Sequence, residues 1–228
     1  MPHGRFGFNE TSPDKLQLDA GEAWANFDIE AFLEDAQDPE TDVTDLSTYG
    51  LGDTTEATML GASEGGGEFN ANRDIKEMDY DGAPGRTKGM RRREPGGVNP
   101  EFSIDLLEFT EENLKLAIAG SQVNDVEAEG TGEITDVVEI TGGEITVDAY
   151  IDNIVFIGKR ADGKPIIFEV RNCLAEGDFA VDTDSGEEAP VSITFQAHFD
   201  VEECTVDEYG AKEWVEPWRV VMYADNAA

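Results

Sequence analysis

Side chains that carry catalytic chemistry are scarce in this chain, and they are not grouped. His3 and His198 are the two histidines, and Cys173 and Cys204 are the two cysteines. No nucleophile elbow, phosphate-binding loop or zinc-ligand spacing surrounds any of them. We therefore expect two buried, reduced thiols, no catalytic residue, no cofactor and no enzymatic activity.

One acidic run has the residue types of a calcium site. Asp182, Asp184 and Glu187 lie in the sequence DTDSGEE, and calcium prefers carboxylate oxygens as ligands. The spacing differs from an EF-hand loop, because glycine occupies the fifth place of the run. In a chain with 51 acidic residues such a cluster arises easily by chance, so these carboxylates are only a weak candidate metal site.

The sharpest charge anomaly is a basic segment. Residues 82–93 contain five cations and no acid, although the chain has a formal net charge of −35. A solvated turn, a contact with nucleic-acid phosphates and a contact with an acidic protein surface all remain open. So acidic a body repels nucleic acid, and we favour the protein contact. The cations are Arg86, Lys88, Arg91, Arg92 and Arg93.

The natural partner of this basic segment is the acidic segment 28–56 of another copy, which holds ten acids and no Lys or Arg. Opposite charges on different parts of one chain favour a head-to-tail interface, and such interfaces propagate into rings or filaments. We interpret 28–56 as an acidic surface insertion with a short helix anchored by its few apolar residues.

The basic segment lies within a predicted β-hairpin, 68–109, as a projecting loop at 80–97. Phe69, Ala71 and Ile75 alternate with polar residues before the loop, and Phe102 and Ile104 do so after it. This period of two is typical of strands that are exposed on one face. The hairpin therefore presents its charges at a distance from the body of the domain.

A helix is predicted directly after the hairpin. Thr110 is suited to the N-cap, and Gly120 is suited to the helix end. We expect Leu114 and Ile118, which share a helical face, to pack on a sheet.

The remaining elements are predicted strands. Residues 16–27 form the first of these strands. After an acidic linker at 121–132, two strands at 134–140 and 144–157 flank a hairpin turn at 141–143. An Asp162-Gly163 turn precedes a strand at 166–170. The residues 191–200 and 218–223 alternate as two further strands. About eight strands with one flanking helix predict a mainly β fold, a sandwich or a barrel.

We expect a flexible N-terminal arm at 1–15 and a single domain at 16–225. Acids outnumber Lys plus Arg by 51 to 16. Such a surface repels itself in dilute buffer but is screened in molar salt, where the Debye length is about 3 Å. This composition favours adaptation to a salty cytoplasm. No run approaches the ~20 apolar residues of a membrane span, so we expect no membrane partner.

Several motifs together resemble the major tail tube proteins of long-tailed, non-contractile viruses. These motifs are the Leu60-Gly61-Ala62 turn, the Asp81-Gly82-Ala83 segment with Lys88-Gly89, the helix that begins at Thr110, and the stretch 172–179. The resemblance covers roughly residues 59–223, together with 16–27. The segment 28–56 is longer than the corresponding loop of that family.

The resemblance implies a tail-tube β-sandwich whose homohexameric rings stack head to tail. The sheets of one ring would join into an inner barrel that conducts viral DNA without binding it specifically. It also implies contacts with the tape-measure protein and with tail terminator and distal tail proteins, assembly in the host cytoplasm, and a place in the virion tail. With the salt-adapted composition, it indicates a virus of a halophilic archaeon.

Two alternatives come from other functional classes. One is a monomeric halophilic β-sandwich binding domain that depends on calcium through residues 182–188. The other is a carbohydrate-active enzyme with paired carboxylates, although the abundance of acids makes any single pair uninformative.

Overall fold

The computed structural model describes residues 21–37, 46–51, 56–77, 91–127, 136–161, 164–176, 190–206 and 212–222. These residues form a mainly β fold with flanking helices, which confirms the predicted fold class. The helices are α1 (Ile29–Gln37) and α2 (Glu111–Ala117). The strands are β1 (Glu22–Ala25), β2 (Thr58–Met59), β3 (Ser63–Glu77), β4 (Arg91–Leu106), β5 (Ser121–Glu127), β6 (Asp136–Gly142), β7 (Ile151–Lys159), β8 (Pro165–Glu176), β9 (Val191–Ala197), β10 (Thr205–Val206), β11 (Lys212–Glu213) and β12 (Trp218–Met222).

Most strands belong to one antiparallel sheet in the order β2-β1-β7-β8-β9-β4-β3, with β12 also paired to β8. β8 changes its neighbour along its length. Residues 166–170 pair with β12, whereas residues 173–176 pair with β9. Asn172 lies at the change with a φ of 50°, a left-handed conformation that Asn tolerates better than most residues. The sheet therefore forks at Asn172.

The sheet folds back on itself and encloses the main core. We call β3, β4 and β9 the front wing, and β1, β7, the first half of β8 and β12 the back wing. Phe102 of the front wing lies 6.0 Å, between ring centroids, from Phe156 of the back wing. Phe69 contacts Phe168 at 5.4 Å and Trp218 at 5.7 Å. These contacts across the two wings give the fold its sandwich-like character.

A second core lies on the outer face of the back wing. Phe27 and Tyr49, with Phe32 of α1, pack there against Val155 and Ile167 of the sheet. The Asp28 carboxylate accepts a hydrogen bond from the Ala31 N–H at 3.0 Å and so caps α1. The short helix expected in 28–56 is thus present, but the described part of this segment is a packed layer of the fold and not only a surface insertion.

The helix after the hairpin begins where the sequence predicts, because the Thr110 hydroxyl accepts a hydrogen bond from the Asn113 N–H at 3.1 Å. Its packing face differs from the prediction. Asn113 is buried and donates to the carbonyl of Leu60 at 2.8 Å. The half-buried Leu116 and Ala117, three and four residues later, pack on the core. The predicted contacts, Leu114 and Ile118, are equally half-buried but are not among the side chains packed on this core.

The structure corrects the assignment of residues 121–157. The expected linker contains β5, which pairs with β6 as a separate two-stranded ribbon. β6 therefore forms no hairpin with β7. The Gly143 N–H donates to the Gly120 carbonyl at 2.9 Å, and a Cβ on Gly120 would come within 2.8 Å of the Glu144 carbonyl oxygen. Close backbone approach at these glycines turns β6 toward β5.

Other strand predictions are confirmed. β7 and β8 form the expected hairpin, although its turn residues 162–163 lie outside the described residues. β9 alternates buried and less buried positions along its length. β12 forms the expected closing strand. The predicted arm and the beginning of the first strand, residues 1–20, lie outside the described residues.

Candidate assembly surfaces

Three of the four residues considered for catalysis, His198, Cys173 and Cys204, lie in the part of the chain that the structure describes. His198 Nδ1 lies 3.2 Å from the Asn172 carbonyl oxygen, and its ring meets the Tyr150 ring edge-on at 5.1 Å. Cys173 is fully buried, and this burial raises the pKa of its thiol, which disfavours the nucleophilic thiolate. Cys204 is half-buried rather than buried, and neither cysteine is in a disulfide. His3 lies outside the described residues.

The candidate metal ligands Asp182, Asp184 and Glu187 also lie outside the described residues. Within the described ranges, no group of three or more His, Cys, Asp or Glu side chains is arranged to hold a metal ion.

The structure describes only the last three cations of the basic segment. Arg91, Arg92 and Arg93 are the first residues of β4 and lie opposite Glu77, Lys76 and Ile75, respectively, in the register. The projecting loop is thus shorter than the predicted 80–97, because its second half is already strand. Arg86 and Lys88 lie outside the described residues.

The β3–β4 hairpin extends beyond the rest of the sheet. β9 pairs with β4 only at residues 101–106. Past Glu101, β3 and β4 pair only with each other among the described residues, along residues 71–77 of β3. At a rise of about 3.3 Å per residue this two-stranded arm is roughly 20 Å long. The register of the arm shifts between the pairs Arg73–Val98 and Ile75–Arg93, before the arginines.

Among the described strands, β3 has the longest edge without a partner strand. β3 is a 15-residue strand and, in the part of the chain that the structure describes, pairs with β4 alone. A long open edge exposes unpaired N–H and C=O groups to any other chain. Position 67 of this strand has no room for a side chain, because a Cβ on Gly67 would lie 2.4 Å from the Phe102 ring.

Three of the five described carboxylates of 28–56 take part in contacts within the chain. Asp28 caps α1, the Asp35 carboxylate accepts a hydrogen bond from the Tyr49 hydroxyl at 3.0 Å, and Glu30 pairs with Arg219 at 2.6 Å. Glu34 is exposed. The described part of 28–56 therefore offers less uncommitted negative charge to a basic partner than the sequence predicts.

A buried polar network fastens the back wing to its helical layer, and sequence reasoning missed it. Glu169 is 3% exposed, and its carboxylate accepts hydrogen bonds from the Asn153 amide at 2.9 Å and from the Nε atoms of Arg171 and Arg219. Burial lowers the pKa of Arg219, but Glu30 and Glu169 outweigh it and raise this pKa overall. The one available signal was a glutamate inside the apolar run PIIFEV.

An open groove of about 600 Å³ lies where α2 ends, between the base of the β5–β6 ribbon and the start of β7. Its lining mixes apolar side chains such as Leu116 with the charged residues Lys115, Glu144 and Asp148. Small-molecule sites are mostly apolar with a few convergent polar groups, and this lining does not have that pattern.

Among the described residues, no helix is both long and apolar enough to cross a membrane. Compared with known proteins, the chain matches no protein-family model and no curated protein.

Proposed function

We propose that this protein is a structural subunit of a viral tail tube. Homohexameric rings of the subunit stack head to tail, and the tube conducts the viral genome to the host during infection. The subunit has no enzymatic role in this proposal. Its other contacts in the virion are the tape-measure protein and the terminator and distal proteins of the tail.

The open edge of β3 is the observation that carries the proposal. Within this 15-residue strand, Gly67–Arg73 pair with β4 without a register shift, and this stretch presents a regular edge to further strands. Soluble monomers usually block such edges with proline, charged side chains, bulges or a covering element. β3 contains no proline, and its one lysine, Lys76, lies near its end. Sheets that continue from one copy to the next satisfy these backbone groups and close a ring.

The arm and the charge distribution support stacking of such rings. The hairpin arm ends in three consecutive arginines at the start of β4, in a chain with a net charge of −35. A cationic arm attracts an acidic neighbour, and the long-range part of this attraction weakens as salt rises. Molar salt also screens the repulsion between the acidic bodies, which supports the proposal of a halophilic archaeal host.

Electron microscopy of the purified protein in negative stain and molar salt tests the assembly directly. We expect rings and tubes of uniform width. Dilution into low salt should loosen them, because the repulsion between acidic subunits is then unscreened. A particle that stays monomeric in molar salt at high protein concentration would overturn the proposed function and favour a monomeric binding domain.

The first prediction concerns the two-stranded arm formed by β3 and β4. The triple variant Arg91→Glu, Arg92→Glu, Arg93→Glu should form no stacked tubes while each subunit remains folded, because like charges then face the acidic neighbour. Sedimentation measures the assembly, and circular dichroism measures the fold.

A matched control reverses Lys159, an exposed cation at the end of β7, to Glu. We expect this variant to assemble like the unmodified protein. Normal tubes from the triple variant would show that the arginines make no contact between rings.

A further inference from the structure

The open groove at the end of α2 carries negative charge that is free to bind a partner. Its volume of about 600 Å³ is that of a typical binding cleft. Three exposed carboxylates, those of Glu144, Asp148 and Asp152, lie in its lining. None of the three forms an ion pair with a cation in the described part of the chain. Most described carboxylates of 28–56, by contrast, are engaged within the chain.

The rest of the groove lining suits an arginine side chain. Lys115 is the one cation among the lining residues, and it pairs with Glu111 of its own helix. The half-buried Leu116 and Ile118, together with Tyr150, which is 37% exposed, supply apolar surface. An arginine packs its methylene stem on such surface, stacks its guanidinium on aromatic rings and binds carboxylates at two points. The lining therefore fits an arginine-rich segment.

The arm and the groove lie toward opposite ends of the strands. β3, β9 and β7 run in the same direction, because β4 and β8 are each antiparallel to their neighbours. The arm is formed at the C-terminal end of β3. The groove is lined by Ile151 and Asp152, at the N-terminal end of β7. Along the common strand direction, the arm thus leads away from the groove of its own subunit.

We propose that the groove binds the arginine-bearing arm of a second copy of this chain. This inference rests on the proposed function, in which rings stack head to tail, and it identifies the surface of one ring on which the arm of the next ring binds. Charge complementarity selects the occupant, because residues 91–93 are the longest run of consecutive cations in the sequence. The groove supplies three carboxylates without a described cationic partner.

The opposite placement of arm and groove favours a contact that repeats. When two different surfaces of one chain bind each other, every copy keeps a free arm on one side and a free groove on the other. Such a contact continues from copy to copy and gives the assembly a direction. An arm that bound to the groove of its own subunit would end the series at one copy.

Charge reversal and its rescue test this contact in the full-length protein. The groove variant carries Glu144→Lys, Asp148→Lys and Asp152→Lys. In molar salt we expect it to need at least about a tenfold higher protein concentration for assembly than the unmodified protein, measured by sedimentation. The rescue variant also has the three arginines at 91–93 reversed to Glu. It should assemble again, because opposite charges then meet with their signs exchanged.

A matched control makes the same change of net charge at three exposed carboxylates outside the groove, Glu34→Lys, Glu202→Lys and Glu203→Lys. It should assemble like the unmodified protein, which separates the loss of one contact from a general effect of charge. Circular dichroism of dissociated subunits shows whether each variant is folded.

A disulfide trap measures the proximity of arm and groove without changing many charges. In a Cys204→Ser background, Arg92→Cys is combined with Asp148→Cys, and the native Cys173 is buried. Mild oxidation of the assemblies should link the copies into covalent chains of two, three and more, which non-reducing electrophoresis resolves as a ladder. The pair Arg92→Cys with Glu34→Cys should give no ladder.

Three results overturn the inference while leaving the tube intact. Normal assembly of the groove variant would show that the arm binds elsewhere. A groove variant that the exchanged charges do not rescue would assign the groove to another contact. Absence of the ladder would show that arm and groove do not meet. If the unmodified protein forms no tubes in molar salt, the proposed function falls, and this inference falls with it.

Discussion

The two outer faces of the sheet have the same strand geometry but differ in what lies on them. On the back wing, rings and aliphatic side chains meet α1, and the Glu169 carboxylate is buried in a hydrogen-bonded network. On the outer face of the front wing, which we call the open face, Asn70 bonds to Glu101 and Ser103 bonds to Thr194, side chain to side chain along the surface. We therefore expect substitutions on the first face to lower the free energy of unfolding more than substitutions on the second.

The largest effect is expected in the covered layer. Phe27 is fully buried, and its ring lies within about 6 Å of those of Trp24, Phe32 and Tyr49. Phe27→Ala should lower the free energy of unfolding by about 3–5 kcal/mol, because it removes apolar contacts and leaves a cavity. Urea denaturation in molar salt measures this loss.

Phe109→Ala is the matched control, because Phe109 is 51% exposed. Its expected change is within about 0.5 kcal/mol. Similar losses for both variants would mean that the helical layer is not a core of the subunit.

A smaller loss is expected for Asn153→Ala, at the inner end of the buried network. The Asn153 side chain accepts a hydrogen bond from the Phe27 N–H at 2.8 Å and donates to the Phe27 carbonyl at 2.9 Å. Its removal leaves these buried groups and Glu169 short of partners, at a cost of about 2–3 kcal/mol.

The exposed Asn124 of β5 provides the control for this loss. Asn124→Ala should change the free energy of unfolding by less than about 0.5 kcal/mol. If Asn153→Ala changes the free energy of unfolding as little as Asn124→Ala does, water replaces the lost hydrogen bonds and the network is accessible to solvent.

The smallest effect is expected on the open face. Thr194→Ala removes the hydroxyl that bonds to Ser103 and should cost less than about 1 kcal/mol, because water can reach the site. Adding Ser103→Ala should cost little more, since the two hydroxyls act as one unit. A loss as large as that of Asn153→Ala would contradict the contrast between the faces.

Sequence reasoning succeeded where local patterns decide the structure. The alternation in 191–197 predicts β9, and the hydroxyl of Thr110 predicts the start of α2. Long-range packing decided the rest. The many acids of 28–56 favoured an exposed segment, although Phe32 and Tyr49 belong to a core. The polar sequence of 121–127 favoured a linker, although these residues form a strand that pairs with β6.

The candidate surfaces were predicted only in part. The hairpin and its basic character follow from the sequence, but the position of Arg91 within a strand depends on pairing with Glu77 across the loop. The open face could not be predicted at all. It exists because the sheet folds and α1 covers the other side, and neither event has a local signal in the residues that form the face.

The order in which the strands leave the ribosome has a consequence for synthesis. β3 and β4 are close in sequence, and such hairpins form within microseconds. β1 pairs with β7, more than a hundred residues later, and the first half of β8 gains its second neighbour only when β12 is made. The edge of β3 is thus exposed while the rest of the domain is incomplete, and nascent chains are expected to need slow translation or a chaperone to avoid premature association.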